Sequence, residues 1–232
     1  MRTLASLLIA LAIALPALGS PREKAPRGAW ISLFDGTTLD GWVRRSGFAT
    51  FAVEDGTIVG TTADGSGNTF LCTTREFGNF DLRFDVRIDE GLNSGVQIRS
   101  KIRSTDEKGR EMGFGGLVYG PQVEIESSPG RSGWILGEST GLGWLSPEPN
   151  SKDPAVNQHT HLKNGEWNEF RVLADGSRIQ TFINGAKVAD LTHPDIFQNH
   201  TKGFIGLQIQ AVRSTATPLQ VRWRNLKIRE LL

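Results

Sequence analysis

The chain has 232 residues, with 26 Lys plus Arg against 25 Asp plus Glu and a formal net charge of +1. Charges that cancel this closely exclude the basic stripe of a nucleic-acid binder and the acidic tail of a solvating protein. A single cysteine, Cys72, excludes both an intrachain disulfide and a cysteine-rich metal site, so its expected role is that of a small buried apolar residue.

Residues 1–20 carry one early Arg2, an apolar run too short for a membrane span and a small-residue "ALGS" ending, with residues 1–19 as the expected signal segment. This is the pattern of a secretory signal peptide, with an uncleaved N-terminal anchor as the alternative. The expected location is therefore secreted or periplasmic, with no stable membrane insertion once the signal is removed. Residues 20–29 read as a linker, and residues 30–232 as one domain, a size that a single all-β sandwich fills.

From there the dominant period is two. In "NFDLRFDVRID" (79–89) Phe80, Leu82, Phe84, Val86 and Ile88 alternate with charged residues, which predicts a strand with one wet face. "SGVQIRS", "QVEIE", "EFRVLA", "RIQTFING", "FIGLQIQ" and "LQVRWRNLKI" alternate in the same way, and "VEDGT", "LADGS" and "FINGAK" supply turns between strands. Many short antiparallel strands imply two packed sheets, a jelly-roll-like sandwich. Residues 100–119 and 137–165 are polar, Gly-rich or Pro-rich and too long for hairpin turns, so both are expected as excursions from the sheets.

These excursions flank "GPQVEIES" (120–127), which places Gln122, Glu124 and Glu126 at alternate positions. By the same alternation Gln97 and Arg99 share a face of one strand, and Gln208 and Gln210 share a face of another. Together they are expected to form one outer surface, with Trp134 and Trp144 at its rim. Amides, carboxylates and a guanidinium pair with vicinal hydroxyls while an aromatic ring covers the C–H side of a sugar, so the surface suits a carbohydrate. Two crowded carboxylates would raise at least one pKa toward neutrality, as a general acid–base pair requires. The plainer alternative is a sheet face that is polar because it is wet.

Other constellations are weaker. His159 and His161 form an H-x-H with no third ligand identified, and Asp89, Glu90 and Asn93 lack the D-x-D-x-D-G spacing of a calcium loop. No nucleophile elbow or phosphate loop is present. No metal and no cofactor is expected.

The motifs "LFDGTTLDGW", "FAVEDGTIVG", "FGNFDLRFDVRIDEGLNSGVQIRS", "GPQVEIE", "STGLGWL", "GEWNEFRV", "FINGAKVADL" and "GFIGLQIQ" with "VRWRNLKIREL" resemble, in order, those of the 3-keto-disaccharide hydrolase family, also described as 3-keto-glucoside lyase and 3-keto-2-hydroxy-glucal hydratase domains. The resemblance covers about residues 30–231. It implies a concanavalin A-like sandwich in an exported protein that cleaves glycosides oxidised at C3: a base removes the C2 proton, the C1 substituent leaves, and water adds back. Carried onto this chain, it implies Glu124 or Glu126 as base or acid, Arg99 as oxyanion partner, and Gln97, Gln122, Gln208, Gln210 and Trp144 as substrate-binding residues. The partner is then a 3-keto-glycoside, with a non-catalytic sugar-binding module of the same fold as the alternative. Two departures from the family pattern, "GPQVEIE" with Pro121 and Glu126 and "TGLGW" in the following loop, imply a reshaped pocket. An endo-glucanase of the laminarinase type would need E-x-D-x-x-E on one strand, which "EIESSP" lacks.

Overall fold

Alternating sequence becomes two antiparallel sheets in the computed structural model, which describes residues 28–214 and 217–231. The expected signal segment and nearly all of the linker lie outside the described residues. The first sheet contains β1 (Ile31–Ser32), β3 (Thr50–Glu54), β4 (Thr57–Thr61), β6 (Phe80–Ile88), β11 (Asn168–Asp175), β12 (Arg178–Ile183), β13 (Ala186–Thr192) and β15 (Gln220–Glu230). The second contains β2 (Trp42–Arg45), β5 (Thr69–Phe77), β7 (Asn93–Arg103), β8 (Leu117–Glu126), β9 (Ile135–Glu138), β10 (Gly143–Trp144) and β14 (Gly203–Ile209). Their orders are β13-β12-β11-β6-β15-β4-β3, with β1 also on β15, and β10-β9-β8-β7-β14-β5-β2. Two short helices, α1 (Pro154–Asn157) and α2 (Pro194–Asn199), sit in the connections. Among the described residues no helix is long and apolar enough to cross a membrane.

The expected period-two strands are present, and the core forms where their apolar faces meet. Phe80, Leu82, Phe84, Val86 and Ile88 of β6 all join it, with Phe84 stacked on Phe170 at 5.3 Å and Trp223 fully buried. The turn signals work as their chemistry dictates: Asp55–Gly56 and Asn184–Gly185 all take positive φ, the conformation a two-residue hairpin turn needs. The first expected excursion is shorter than the sequence implied, because β7 runs to Arg103 and β8 starts at Leu117, and the second carries β10 and α1.

The outer face of the first sheet carries the charged residues of β6, as expected. There Asp81, fully buried, is held by two bonds from Arg171 (2.9 and 3.1 Å) and approached by Arg229 at 3.4 Å and Arg83 at 3.6 Å. A buried carboxylate is tolerated because guanidinium groups replace its hydration.

Cys72 lies with Phe70, Val118 and Phe204 in a small second apolar cluster on the outer face of the second sheet. Burial pushes its thiol pKa far up, so the reactive thiolate is absent at neutral pH. The native protein should therefore resist an aromatic disulfide reagent and react stoichiometrically once denatured; prompt labelling of the native protein would contradict this placement.

Candidate active site

The outer face of the second sheet gathers most of the residues expected there. Register across β8, β7 and β14 puts Glu124 opposite Gly95 and Gly95 opposite Gln208, while Gln122 lies opposite Gln97 in the neighbouring row. Gly95 is needed here: a Cβ at that position would sit 2.6 Å from Cδ of Gln122, whose side chain crosses β7 at this point.

The polar side chains form a directed chain. Ser100 Oγ donates to Gln97 Oε1 at 2.5 Å, Gln97 Nε2 donates to Gln122 Oε1 at 2.8 Å, and Gln122 Nε2 donates to Glu124 Oε2 at 3.2 Å. Asn93 Nδ2 donates to Glu124 Oε1. The carboxylate sets this direction, because an ionised acid only accepts and so turns the NH₂ end of Gln122 toward itself. Gln208 adds a buried Oε1 with no hydrogen-bond partner among the described residues.

The plainer alternative, a face that is polar because it is wet, does not hold, because the row is buried. Gln97, Gln122, Glu124 and Gln208 are at most 5% exposed. Asn68, just before β5, donates to Glu138 at the end of β9 at 3.2 Å. Three strands separate β5 from β9, so the two side chains meet only because the sheet and its edge loops curl over the face.

Burial dominates the electrostatics. It pushes the Glu124 carboxyl up to about 7, against the hydrogen bonds from Asn93 and Gln122, while the nearby Glu126 raises it by a smaller amount. The raised pKa expected from two crowded carboxylates is thus present, but desolvation is its main cause. Glu126 is half-buried and accepts from both the backbone N–H and the Nε of Arg131, the latter at 3.2 Å. Arg131 in turn lies over the ring of Trp144 at 5.1 Å.

Arg99 does not join the row. A bulge interrupts the β7–β8 register between Gln97 and Lys101, and Arg99 takes φ = 50° within it. The extra residue breaks the alternation that paired Arg99 with Gln97 and sends its side chain toward the first sheet. There its guanidinium donates to Gly78 O (2.7 Å), Gly176 O (2.7 Å) and Asn79 Oδ1 (2.9 Å), between the rings of Phe80 and Phe197. With three acceptors already engaged in the interior, it has no part in a site at Glu124. Arg99 is a pin between sheets.

Other expectations are also revised. Trp134 is a buried core residue bonded to Asn157 O at 3.2 Å, not a rim aromatic. Gln210 is exposed just past the end of β14, its backbone N–H on Asn93 O at 3.4 Å. Asp89 caps the start of β15 by accepting from Gln220 N at 2.8 Å, and Asn93 serves Glu124, so these two do not converge on a cation. His159 Nε2 is taken by Ser132 O at 2.7 Å, and burial lowers its pKa. Among the described residues no group of three His, Cys, Asp or Glu could hold a metal ion. Sequence reasoning missed Ser100 and Arg131 as members of the site. Arg131 lies five residues past Glu126 in a "SPGRSG" turn that leads it back to the strand end, a signal available in hindsight.

The profile of the family described as the 3-keto-alpha-glucoside-1,2-lyase-like domain matches residues 29–229. The chain belongs to that family. The 3-keto-alpha-glucoside-1,2-lyase-like domain therefore spans both sheets and the whole Gln97–Gln122–Glu124 row. Solved structures agree on the fold. A candidate glycosyl hydrolase from Parabacteroides distasonis is 20% identical, with 88% of this chain and 94% of that chain covered and a TM-score of 0.56. A Bacillus subtilis protein of unknown function with a galectin-like fold is 11% identical, with 90% and 99% covered and a TM-score of 0.62. The carbohydrate binding module CBM66 from Bacillus subtilis is 14% identical, with 82% and 96% covered and a TM-score of 0.52. No curated protein sequence matches the chain. This lyase-like domain is a carbohydrate-related jelly-roll sandwich.

Proposed function

We propose that this protein is an exported enzyme that cleaves 3-keto-glycosides, with Glu124 as the base. The observation that carries the reading is Glu124 itself: a buried carboxylate, held by two amides, whose pKa of about 7 suits proton abstraction at neutral pH. Family membership supports the substrate class, and the leader-like pattern of residues 1–19 supports export.

A C3 ketone acidifies the C2 hydrogen. Glu124 takes that proton, and the C2–H electron pair forms an enediolate with its charge on the C3 oxygen. Return of the C3 carbonyl then drives C1=C2 formation and breaks the C1–O bond, and the departing oxygen takes from Glu124 the proton that was removed from C2. Water adds its oxygen to C1 and a proton to C2, giving the free 3-keto sugar. Glu124, ionised again, takes the proton that the attacking water releases and delivers it to C2, so the hydrogen that arrives at C2 comes from solvent.

Because Arg99 is committed elsewhere, the cation we assign to the C3 oxyanion is Arg131, whose charge already acts on Glu124 and which Trp144 and Glu126 hold in place. Gln208 Oε1, a buried acceptor with an unused lone pair, suits a sugar hydroxyl. A non-catalytic sugar-binding role is the second reading, favoured by the fact that both oxygens of Glu124 already accept hydrogen bonds.

Turnover of 3-keto-trehalose or a 3-keto-β-glucoside, with the unoxidised sugars inert, is the expected result. Equal turnover of oxidised and unoxidised sugars would refute the elimination route. Gly95→Ala should lower kcat/KM by about tenfold or more and stability by roughly 1–3 kcal/mol, since it evicts Gln122 and so takes one hydrogen-bond partner each from Gln97 Nε2 and Glu124 Oε2. Unchanged kinetics in that variant would mean that the amide chain has no part in the reaction.

A further inference from the structure

The opposite face of the molecule holds a cavity of its own. In β15 the pairing with β6 shifts between Arg224 and Lys227, a bulge in which Asn225 turns outward with φ = 54° while Leu226 enters the core. On its other side β15 pairs with β4 only as far as Trp223 and with β1 only from Lys227. Both neighbouring strands stop at the bulge, so the sheet carries a gap there. It opens a cavity of about 540 Å³ on the outer face of the first sheet, lined by Trp30, Arg83, Asp85, Glu169, Asn225 and Lys227 among others. That volume falls within the range of small-molecule sites.

Trp30 is the aromatic wall and stays 37% exposed. Three cations hold it: the guanidinium of Arg229 lies 4.6 Å from the ring centroid, and Arg83 and the Lys227 ammonium lie at 5.4 Å. An exposed tryptophan braced this way presents apolar area with little freedom left to lose on binding. Asn225 Nδ2 donates to Asp85 Oδ2 at 2.7 Å, which fixes both groups at the cavity edge. Beyond Asp85, Arg224 carries a second tryptophan, Trp167, at 4.1 Å from its ring centroid.

Among the residues that line the cavity the charges balance, Arg83 and Lys227 against Asp85 and Glu169. The cavity offers closely spaced donors and acceptors beside a flat apolar ring, the combination that fits vicinal hydroxyls and the C–H face of a pyranose. We propose that this cavity is an accessory binding site for a pyranose unit of a neutral oligosaccharide, on the face away from Glu124, where it would hold a glycan chain without cleaving it. Nothing in this depends on the chemistry assigned to Glu124.

The test uses the Glu124→Gln protein, so that turnover does not intrude, and follows the six tryptophan indole N–H resonances during titration with cellotetraose and with maltotetraose. The Trp30 signal is identified by its absence in Trp30→Phe. At least one tetrasaccharide should shift it saturably, and Lys227→Ala and Glu169→Gln should each weaken that response by about tenfold. A Trp30 resonance that stays still with both sugars, shifts equally in the Lys227 and Glu169 variants, or responds to a glucuronate oligomer and not to neutral sugars would overturn the proposal. Because these shifts are read without catalysis, they can succeed where the keto-glycoside assay fails, and the reverse.

Discussion

Glu124→Gln should abolish turnover while leaving the protein as stable as the parent, or more stable, at pH 8. The two effects have one cause. Burial raises the folded-state pKa of Glu124 from 4.5 to about 7, so the native state prefers the protonated form. As pH rises from the unfolded pKa through 7, the native protein must release a proton that burial favours keeping, and stability falls by up to about 3 kcal/mol over that window. Glutamine is neutral throughout and removes this slope. Activity runs the other way, since a base must be ionised: kcat/KM of the parent should fall about tenfold per pH unit below 7 and level off above it. Thermal melts at pH 5 and pH 8 beside a pH–rate profile check both signs. A variant that loses activity only because it unfolds, or a rate flat between pH 5.5 and 8, would remove Glu124 from the role.

The second large effect belongs to Arg99. Arg99→Met should lower stability by about 3 kcal/mol or more, because it strands two backbone carbonyls and an Asn side chain that the guanidinium now satisfies in the interior. Arg99→Lys should recover little of this, since one ammonium cannot reproduce a planar fork that reaches three acceptors. In both variants the folded fraction should turn over substrate at the parental kcat. Denaturant unfolding paired with kinetics at low temperature separates the two. Intact stability with lost kcat would restore Arg99 to the reaction and contradict its place between the sheets.

Arg99 also marks where the sequence stops being legible. Alternation was sufficient to group Gln97, Gln122, Glu124 and Gln208, because period two forces those side chains to one face and the apolar partners Val96, Ile98, Val123, Ile125, Leu207 and Ile209 to the other. It failed at Arg99 because a bulge inserts one residue and reverses the parity after it, and nothing in "QIRSK" announces that. Fold class was readable from the same period and from Asp-Gly and Asn-Gly turns, whose left-handed φ values are local chemistry.

The burial of the polar row was not readable. Whether a polar face is wet depends on what folds over it, and the Asn68–Glu138 contact joins residues 70 apart in the chain. The dominant cause of the Glu124 pKa shift was hidden for the same reason. Carboxylate crowding can be seen in "VEIE", but desolvation can be seen only once the face is covered. Trp134 shows the converse error. It sits in a loop-like stretch that suggested a rim, yet it is buried in the core cluster.

The most direct measurement is deuterium at C2. The purified protein is incubated with 3-keto-trehalose in heavy water, and the released 3-keto sugar is examined by mass and proton spectra. Proton abstraction by Glu124 followed by elimination and rehydration predicts deuterium at C2 with every turnover, and neither release nor exchange with Glu124→Gln. Sugar released with its C2 hydrogen intact would contradict the account.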